Sequence, residues 1–190
     1  MEKTQLLQKP LLLATFFLLS SLCFSQATQQ WVARYNGPAN SFDAATAITL
    51  DAGGNVYVTG SSYVSETNGD YSTIKYDAKG NQLWVRTYNG TGNGGDGANA
   101  IAIDAEGNVY VTGQSEGSGF FNYDYATIKY DAKGNQLWVS RYDGPGIATD
   151  IAFAIAVDVA GNVYITGSSY GSASNTDYAT SIQPPTRLES

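Results

Sequence analysis

An all-β fold assembled from repeated four-stranded units is predicted by three features of the 190-residue sequence. The first is a period. Trp31, Trp84 and Trp138 lie 53 and 54 residues apart, as do Gly54, Gly107 and Gly161, while Asp70, Asp124 and Asp177 lie 54 and 53 apart. Repeats of this length mark a supersecondary unit that buries its apolar face only against its neighbours. The second is strict alternation of apolar and polar residues within each period, with no helical spacing outside the N-terminal segment. The third is a pentapeptide between alternating runs: DAGGN at 51–55, DAEGN at 104–108 and DVAGN at 158–162, with DAKGN at 77–81 and 131–135.

In chain order, residues 1–27 read as a secretory signal peptide. Lys3 and Lys9 supply a positive start, Leu11 to Leu19 an apolar core too short to span a bilayer, and Ser25-Gln26-Ala27 a small-x-small cleavage signal after Ala27 or after Ser25. Lipidation at Cys23 is disfavoured because Leu22, just before it, is large. With the signal removed no cysteine remains, so packing and not disulfides must stabilise the fold. Loss of Lys3, Lys9 and Glu2 takes the net charge from −7 to −8. That balance argues against nucleic acid or an anionic membrane as partner. No later apolar run is long enough for a membrane span, and the expected location is extracellular or on the cell surface.

Residues 28–183 hold three repeats, counted at about 30–81, 82–135 and 136–183, with 184–190 a non-repeat tail. The second copy shows the four strands: a (98–104), b (108–113), c (125–131) and d (136–142). Asp51, Asp104 and Asp158 open the a–b turns that Gly54, Gly107 and Gly161 close; Asp77 with Gly80 and Asp131 with Gly134 do the same between c and d. Asp accepts backbone hydrogen bonds as such a turn opens, and Gly takes the left-handed conformation that closes it as a bulged hairpin. Strand a carries Ile101 and Ile103 on one face and only Ala100 and Ala102 on the other, which suits close packing between sheets. Trp31, Trp84 and Trp138 on strand d offer area to cover a neighbouring unit. Stacked four-stranded units of this kind are the blades of a β-propeller.

The run DAEGNVYVTG, a Gly/Ser-rich loop, DYATIKYDAKGNQLW and a Gly-rich loop ending in Asp resemble the β-propeller repeat family of secreted and surface bacterial proteins. The likeness covers roughly residues 30–180 and implies propellers commonly of seven blades; it carries no catalytic motif. GNQLW also resembles, more weakly, the repeats of quinoprotein propellers.

In a blade the a–b and c–d turns share one rim, and the b–c and d–a loops share the other. All variation in length and sequence falls on the second rim, where binding by a rigid repeat frame is expected. Tyr63, Phe120, Phe121, Tyr123 and Tyr170 stand there among Ser, Asn and Gly, a mixture suited to a protein or glycan ligand. The competing reading is that these rings only pack the loops. Asp43, Asp96 and Asp150 end the d–a loops, and Asp70, Asp124 and Asp177 end the b–c loops. The first three are weak calcium candidates; without a dense D-x-D-x-D spacing, the favoured role is accepting backbone N–H bonds to hold the loops. Lys75, Lys79, Lys129 and Lys133 of strand c and its turn read as solvated protection of the sheet. Asn89-Gly90-Thr91 fits a glycosylation sequon but reads as a turn variant, since the other copies have Pro38 and Pro145 at the Thr91 position.

No histidine exists in the chain, no serine sits in a nucleophile-elbow pattern, and the only cysteine lies in the signal. The favoured reading is therefore a non-catalytic binding module needing no cofactor. The alternative is a piece of a carbohydrate-active or quinoprotein-like propeller enzyme, for which Glu66 and Glu116 are among the few carboxylates unique to one copy. Three blades do not close a ring comfortably. The third copy has strands a, b and a shortened c from Tyr178 to Ile182, then departs from the pattern at SIQPPTRLES. The favoured expectation is a truncated piece of a longer propeller. The other is a homodimer in which an orphan strand d, Trp31 to Tyr35, completes the third blade of a second copy to give six blades.

Overall fold

A computed structural model describes residues 28–63, 68–117, 122–146, 149–171 and 175–184. From Trp31 onward the chain forms one compact unit. Its strands are β1 (Asp43–Leu50), β2 (Val56–Tyr63), β3 (Gly69–Tyr76), β4 (Gln82–Tyr88), β5 (Asp96–Ile103), β6 (Val109–Glu116), β7 (Tyr123–Tyr130), β8 (Gln136–Tyr142), β9 (Ile151–Val157), β10 (Val163–Tyr170) and β11 (Thr176–Gln183). No helix occurs among the described residues. The strands form three antiparallel sheets, β1–β4, β5–β8 and β9–β11, each ordered as in the chain. They stand as blades of a partial, unclosed propeller, with the a strands of successive sheets as neighbours. The period counted from Trp31 cuts between strands c and d of one sheet, whereas hydrogen bonding groups strands a to d over 43–88 and 96–142.

All five turns have one geometry. In the first, Gly54 N–H donates to the Asp51 carbonyl at 3.0 Å and Asp51 N–H to the Asn55 carbonyl at 3.1 Å. The Asp51 carboxylate accepts from the backbone of Gly53 and Asn55 and from the Asn55 side-chain amide. The closing glycines have φ between 78° and 86°, where a Cβ is strained. The Asn81 and Asn135 side-chain amides, with the backbone N–H of the same residues, hold the Asp77 and Asp131 carboxyls below their ordinary pKa.

The core lies between sheets. Tyr57, Tyr71 and Trp84 of the first sheet meet Val109, Val111 and Ile128 of the second. Tyr110 and Tyr125 on the far face of the second meet Val163 and Ile165 of the third. One rule covers both interfaces: the tyrosine face of one sheet packs on the aliphatic face of the next. Burying each such side chain is worth about 1.5–3 kcal/mol. Polar contacts repeat as well. Tyr71 donates to the Ala126 carbonyl at 3.1 Å and Tyr125 to that of Ala179 at 3.3 Å. The Thr46 hydroxyl donates to Ala98 at 2.6 Å, and the Asn99 amide to Ala152 at 2.9 Å. The Trp84 indole reaches over the next sheet's c–d turn to the Ala132 carbonyl at 3.4 Å. Lys75 and Lys129 lie 4.9 Å from the ring centroids of Tyr57 and Tyr110, a cation–π role beyond the solvated one expected of them.

Three differences from the sequence-based expectation have physical causes. Strand b does not stop at Gly113. Pairing with strand c continues through Ser115↔Asp124 to Glu116↔Tyr123, and the glycine sits mid-strand because a Cβ there would lie 2.0 Å from the Gly97 carbonyl oxygen. That close approach is forced by a bulge in strand a between Ala98 and Ala100. Strand c of the third copy is not shortened: β11 runs eight residues because its ladder to β10 needs only backbone groups. The orphan segment 31–35 is not in a strand, since no strand pairs with it among the described residues, although its residues alternate half-buried and exposed.

The turn glycines give a paired prediction. Gly107→Ala and Gly134→Ala both place a Cβ at φ +82, but only the second would drive it to 3.0 Å from the Trp84 ring. Urea denaturation is expected to show a loss of about 1 kcal/mol for the first and roughly 2–3 kcal/mol for the second.

Candidate functional site

The variable rim is built on two sets of carboxylates at strand starts. In the first set, one oxygen of Asp43, Asp96 and Asp150 accepts the backbone N–H of Gly37, Gly90 and Gly144 at 2.9, 2.8 and 2.7 Å. The second oxygen of Asp96 takes the Glu116 N–H at 3.1 Å and that of Asp150 the Tyr170 N–H at 2.9 Å. Each of these residues thus ties a d–a loop, and in the second and third sheets also the end of strand b, to the start of strand a. The glycines have no room for a side chain, because a Cβ at Gly90 would fall 2.1 Å from the Ser115 Oγ. Burial raises the Asp96 pKa, and the hydrogen bonds from Ser115, Gly90 and Glu116 oppose it.

In the second set the three copies differ. Asp124 is buried and ion-paired with Arg141 of strand d at 2.8 Å. The same guanidinium donates to the Ser115 hydroxyl at 2.6 Å and to the Ser115 carbonyl at 2.9 Å. Asp70 is as buried as Asp124, but the position of Arg141 is held by Thr87, which pairs with Ser72 as Arg141 pairs with Ala126. Burial, with the Asp96 charge second, pushes the Asp70 carboxyl up to about 6, and the Ser62 hydroxyl is buried without a hydrogen-bond partner. Asp177 of the third copy is exposed.

Asp124, Asp143 and Asp150 bring carboxylate oxygens within 4.8 Å of one another. Of the weak calcium candidates only Asp150 joins this group; Asp43 and Asp96 belong to no such cluster among the described residues. Burial raises the Asp124 pKa despite Arg141, with Asp143 and Asp150 adding to the rise. Arg141 holds one Asp124 oxygen and leaves the other buried without a hydrogen-bond partner, backbone N–H groups hold both Asp150 oxygens, and Asp143 is exposed. That commitment suits anchoring of loops better than coordination of a hard cation. Glu116 is likewise engaged, accepting the Gly95 N–H at 2.9 Å.

The aromatic candidates sit at strand ends. Tyr63 and Tyr170 are the last residues of β2 and β10, Tyr123 is the first of β7, and all three are half-buried. Tyr63 meets Phe42 edge-on, with centroids 6.4 Å apart. Phe120, Phe121 and Glu66 lie outside the described residues. The grooves of the described surface lie elsewhere. One of 320 Å³ covers the open face of the first sheet beside Trp31, Tyr35 and Ile74; one of 620 Å³ covers that of the third beside Phe153 and Tyr178; a third, of 490 Å³, runs beside Tyr57 and Ile103 on the tight-turn rim.

Sequence reasoning missed Arg141 and Asp143. A signal for Arg141 existed in the strand-d copies WVARY, WVRTY and WVSRY, where the arginine changes register by one residue in the middle copy. No protein-family model matches the chain, and no curated protein matches it.

The Asp70 environment sets a pH dependence. A carboxyl whose folded pKa is raised holds a proton in the folded state that the unfolded chain has released, so stability falls as pH rises between the two values. Wild type is expected to lose stability relative to Asp70→Asn between pH 4 and pH 7, measured by urea denaturation in that window. Thr87→Arg, which reproduces the pairing seen at Asp124, is expected to reduce that difference and add about 1 kcal/mol at pH 7.

Proposed function

We propose that the chain is an exported, non-catalytic β-propeller repeat module that binds a protein or glycan through the rim of its b–c and d–a loops. One observation carries the reading: a constant frame of turns, glycines and aspartate anchors supports loops that differ in every copy. Asp43, Asp96 and Asp150 accept backbone N–H groups of the loops and Asp124 pairs with Arg141, which supports a rim built to hold loop shape. Tyr63 and Tyr170 end strand b of the first and third copies and Tyr123 begins strand c of the second, so each offers that rim a half-buried ring, a flat apolar surface beside polar loop atoms. Resemblance to secreted bacterial propeller repeats supports the same reading, and the apolar, lysine-flanked N-terminus supports export. The reading includes association of two copies into a six-bladed ring.

The test is a glycan array and a display library of peptides, each probed with the labelled exported chain. Saturable binding is expected on one of them, reduced at least about tenfold by the Tyr63→Ala/Tyr170→Ala double variant at an unchanged melting temperature. No binding on either, or binding indifferent to both tyrosines, would sink the rim as the binding face.

A further inference from the structure

The three sheets act as controls for one another, and the comparison singles out the two outer faces. Tyr57 and Tyr110 are 0% exposed, but Tyr164 at the same position of the third sheet is 38% exposed. Tyr71 and Tyr125 are 1% and 2% exposed, against 96% for Tyr178. Ile182 and Phe153 share that uncovered face at 61% and 56%. At the other end of the stack, the aliphatic face of the first sheet carries Ile48, 66% exposed beside the 320 Å³ groove. The stack therefore ends in a tyrosine face at one side and an aliphatic face at the other, the two halves of its own internal interface.

The segment Trp31–Tyr35 shows what belongs between them. Trp31 packs on Val56, Ile74 and Tyr76. Its indole donates to the Ala78 carbonyl at 3.2 Å and lies over Gly80, as Trp84 does to Ala132 and over Gly134. So 31–35 occupies the place that strand d of a neighbouring sheet takes on this face. The third sheet has strands a, b and c and, among the described residues, no fourth. Its edge also lacks a cation. In the second sheet Arg141 of strand d pairs with one Asp124 oxygen and donates to the Ser115 hydroxyl; in the third, Asp177 is exposed and the Ser169 hydroxyl is buried without a partner. Aligning WVARY with WVSRY places the exposed Arg34 at the Arg141 position.

We propose that a second copy of this chain supplies strand d to the third sheet in trans, with its Arg34 bound to Asp177 and Ser169. By the register of β7 with β8, Tyr178 faces Tyr35, Ala179 faces Arg34, Thr180 faces Ala33, Ser181 faces Val32 and Ile182 faces Trp31 across the two copies. The Tyr178 hydroxyl then meets the Ser72 carbonyl, as Tyr71 meets Ala126. The junction is more apolar than the internal ones, because Phe153 stands where Thr46 and Asn99 donate hydrogen bonds. Two such junctions related by a two-fold axis close a ring of six sheets, within the four to eight blades that propellers use. The inference rests on the two-copy ring and not on any ligand of the rim.

Three measurements test it on the exported chain. Light scattering is expected to give twice the chain mass on a β-rich peak; a folded monomer, or aggregate without a defined mass, overturns the proposal. Because the exported chain has no other cysteine, copies carrying Val32→Cys mixed with copies carrying Ser181→Cys are expected to form a disulfide-linked dimer that neither forms alone. Absence of that band, or a ladder of higher oligomers, overturns the junction or its closure at two copies. Arg34→Asp and Asp177→Arg are each expected to weaken dimerisation at least about tenfold and together to restore it; failure of the pair to restore it overturns the assigned contact. Loss of rim binding with the dimer intact would count against the binding face alone.

Discussion

The packing of a tyrosine face on an aliphatic face is the contact on which the molecule depends. Each sheet has only three or four strands, and its apolar faces are buried only where a neighbouring sheet covers them. Val109, Val111 and Ile128 become core only because Tyr57, Tyr71 and Trp84 cover them. The polar rim inherits its shape from this contact. The aspartates that pin the loops sit at the starts of a strands, and those strands are the neighbours that bring one sheet against the next. Turn, sheet, stack and rim therefore form one chain of dependence, with hydrophobic burial between sheets at its base.

Much of this was legible in the sequence because a repeat presents the same physical problem several times. The alternation of Val109-Tyr110-Val111 in strand b gave both faces of the sheet, and the D-x-x-G-N pentapeptides gave the turns with their left-handed glycines. What could not be read was any feature created by a non-local approach. Gly113 looked like a strand end, yet it is a strand interior that admits the bulged backbone of Gly97. The lysines of strand c looked merely solvated, whereas Lys75 and Lys129 lie over tyrosine rings one strand away. The eight-residue β11 was under-read because its apolar pattern fades while its backbone donors and acceptors do not.

The rim was legible only in outline. Its recurring aspartates announced anchoring, but which copy carries a counter-charge depends on Arg141 against Thr87, a one-residue shift of the arginine whose meaning appears only when strand d is paired with strand c. The consequence is an uneven rim: a buried carboxylate paired with an arginine in the second sheet, a buried one without that partner in the first and an exposed one in the third. A frame that looks periodic thus presents three different electrostatic environments to whatever approaches it.

The acceptors of the sheet-to-sheet hydrogen bonds from Tyr71, Tyr125, Thr46, Asn99 and Trp84 are all main-chain carbonyls. A carbonyl of the backbone is present whatever side chain the residue carries, so the receiving sheet needs no matching mutation to accept a new neighbour. A duplicated unit arrives already able to dock on its parent, and can be inserted, lost or lent to another chain without rewriting the interface. Such a contact favours growth by copying, and the near-identity of YSTIKYDAKGNQLWV and YATIKYDAKGNQLWV in adjacent sheets is the trace that such copying leaves.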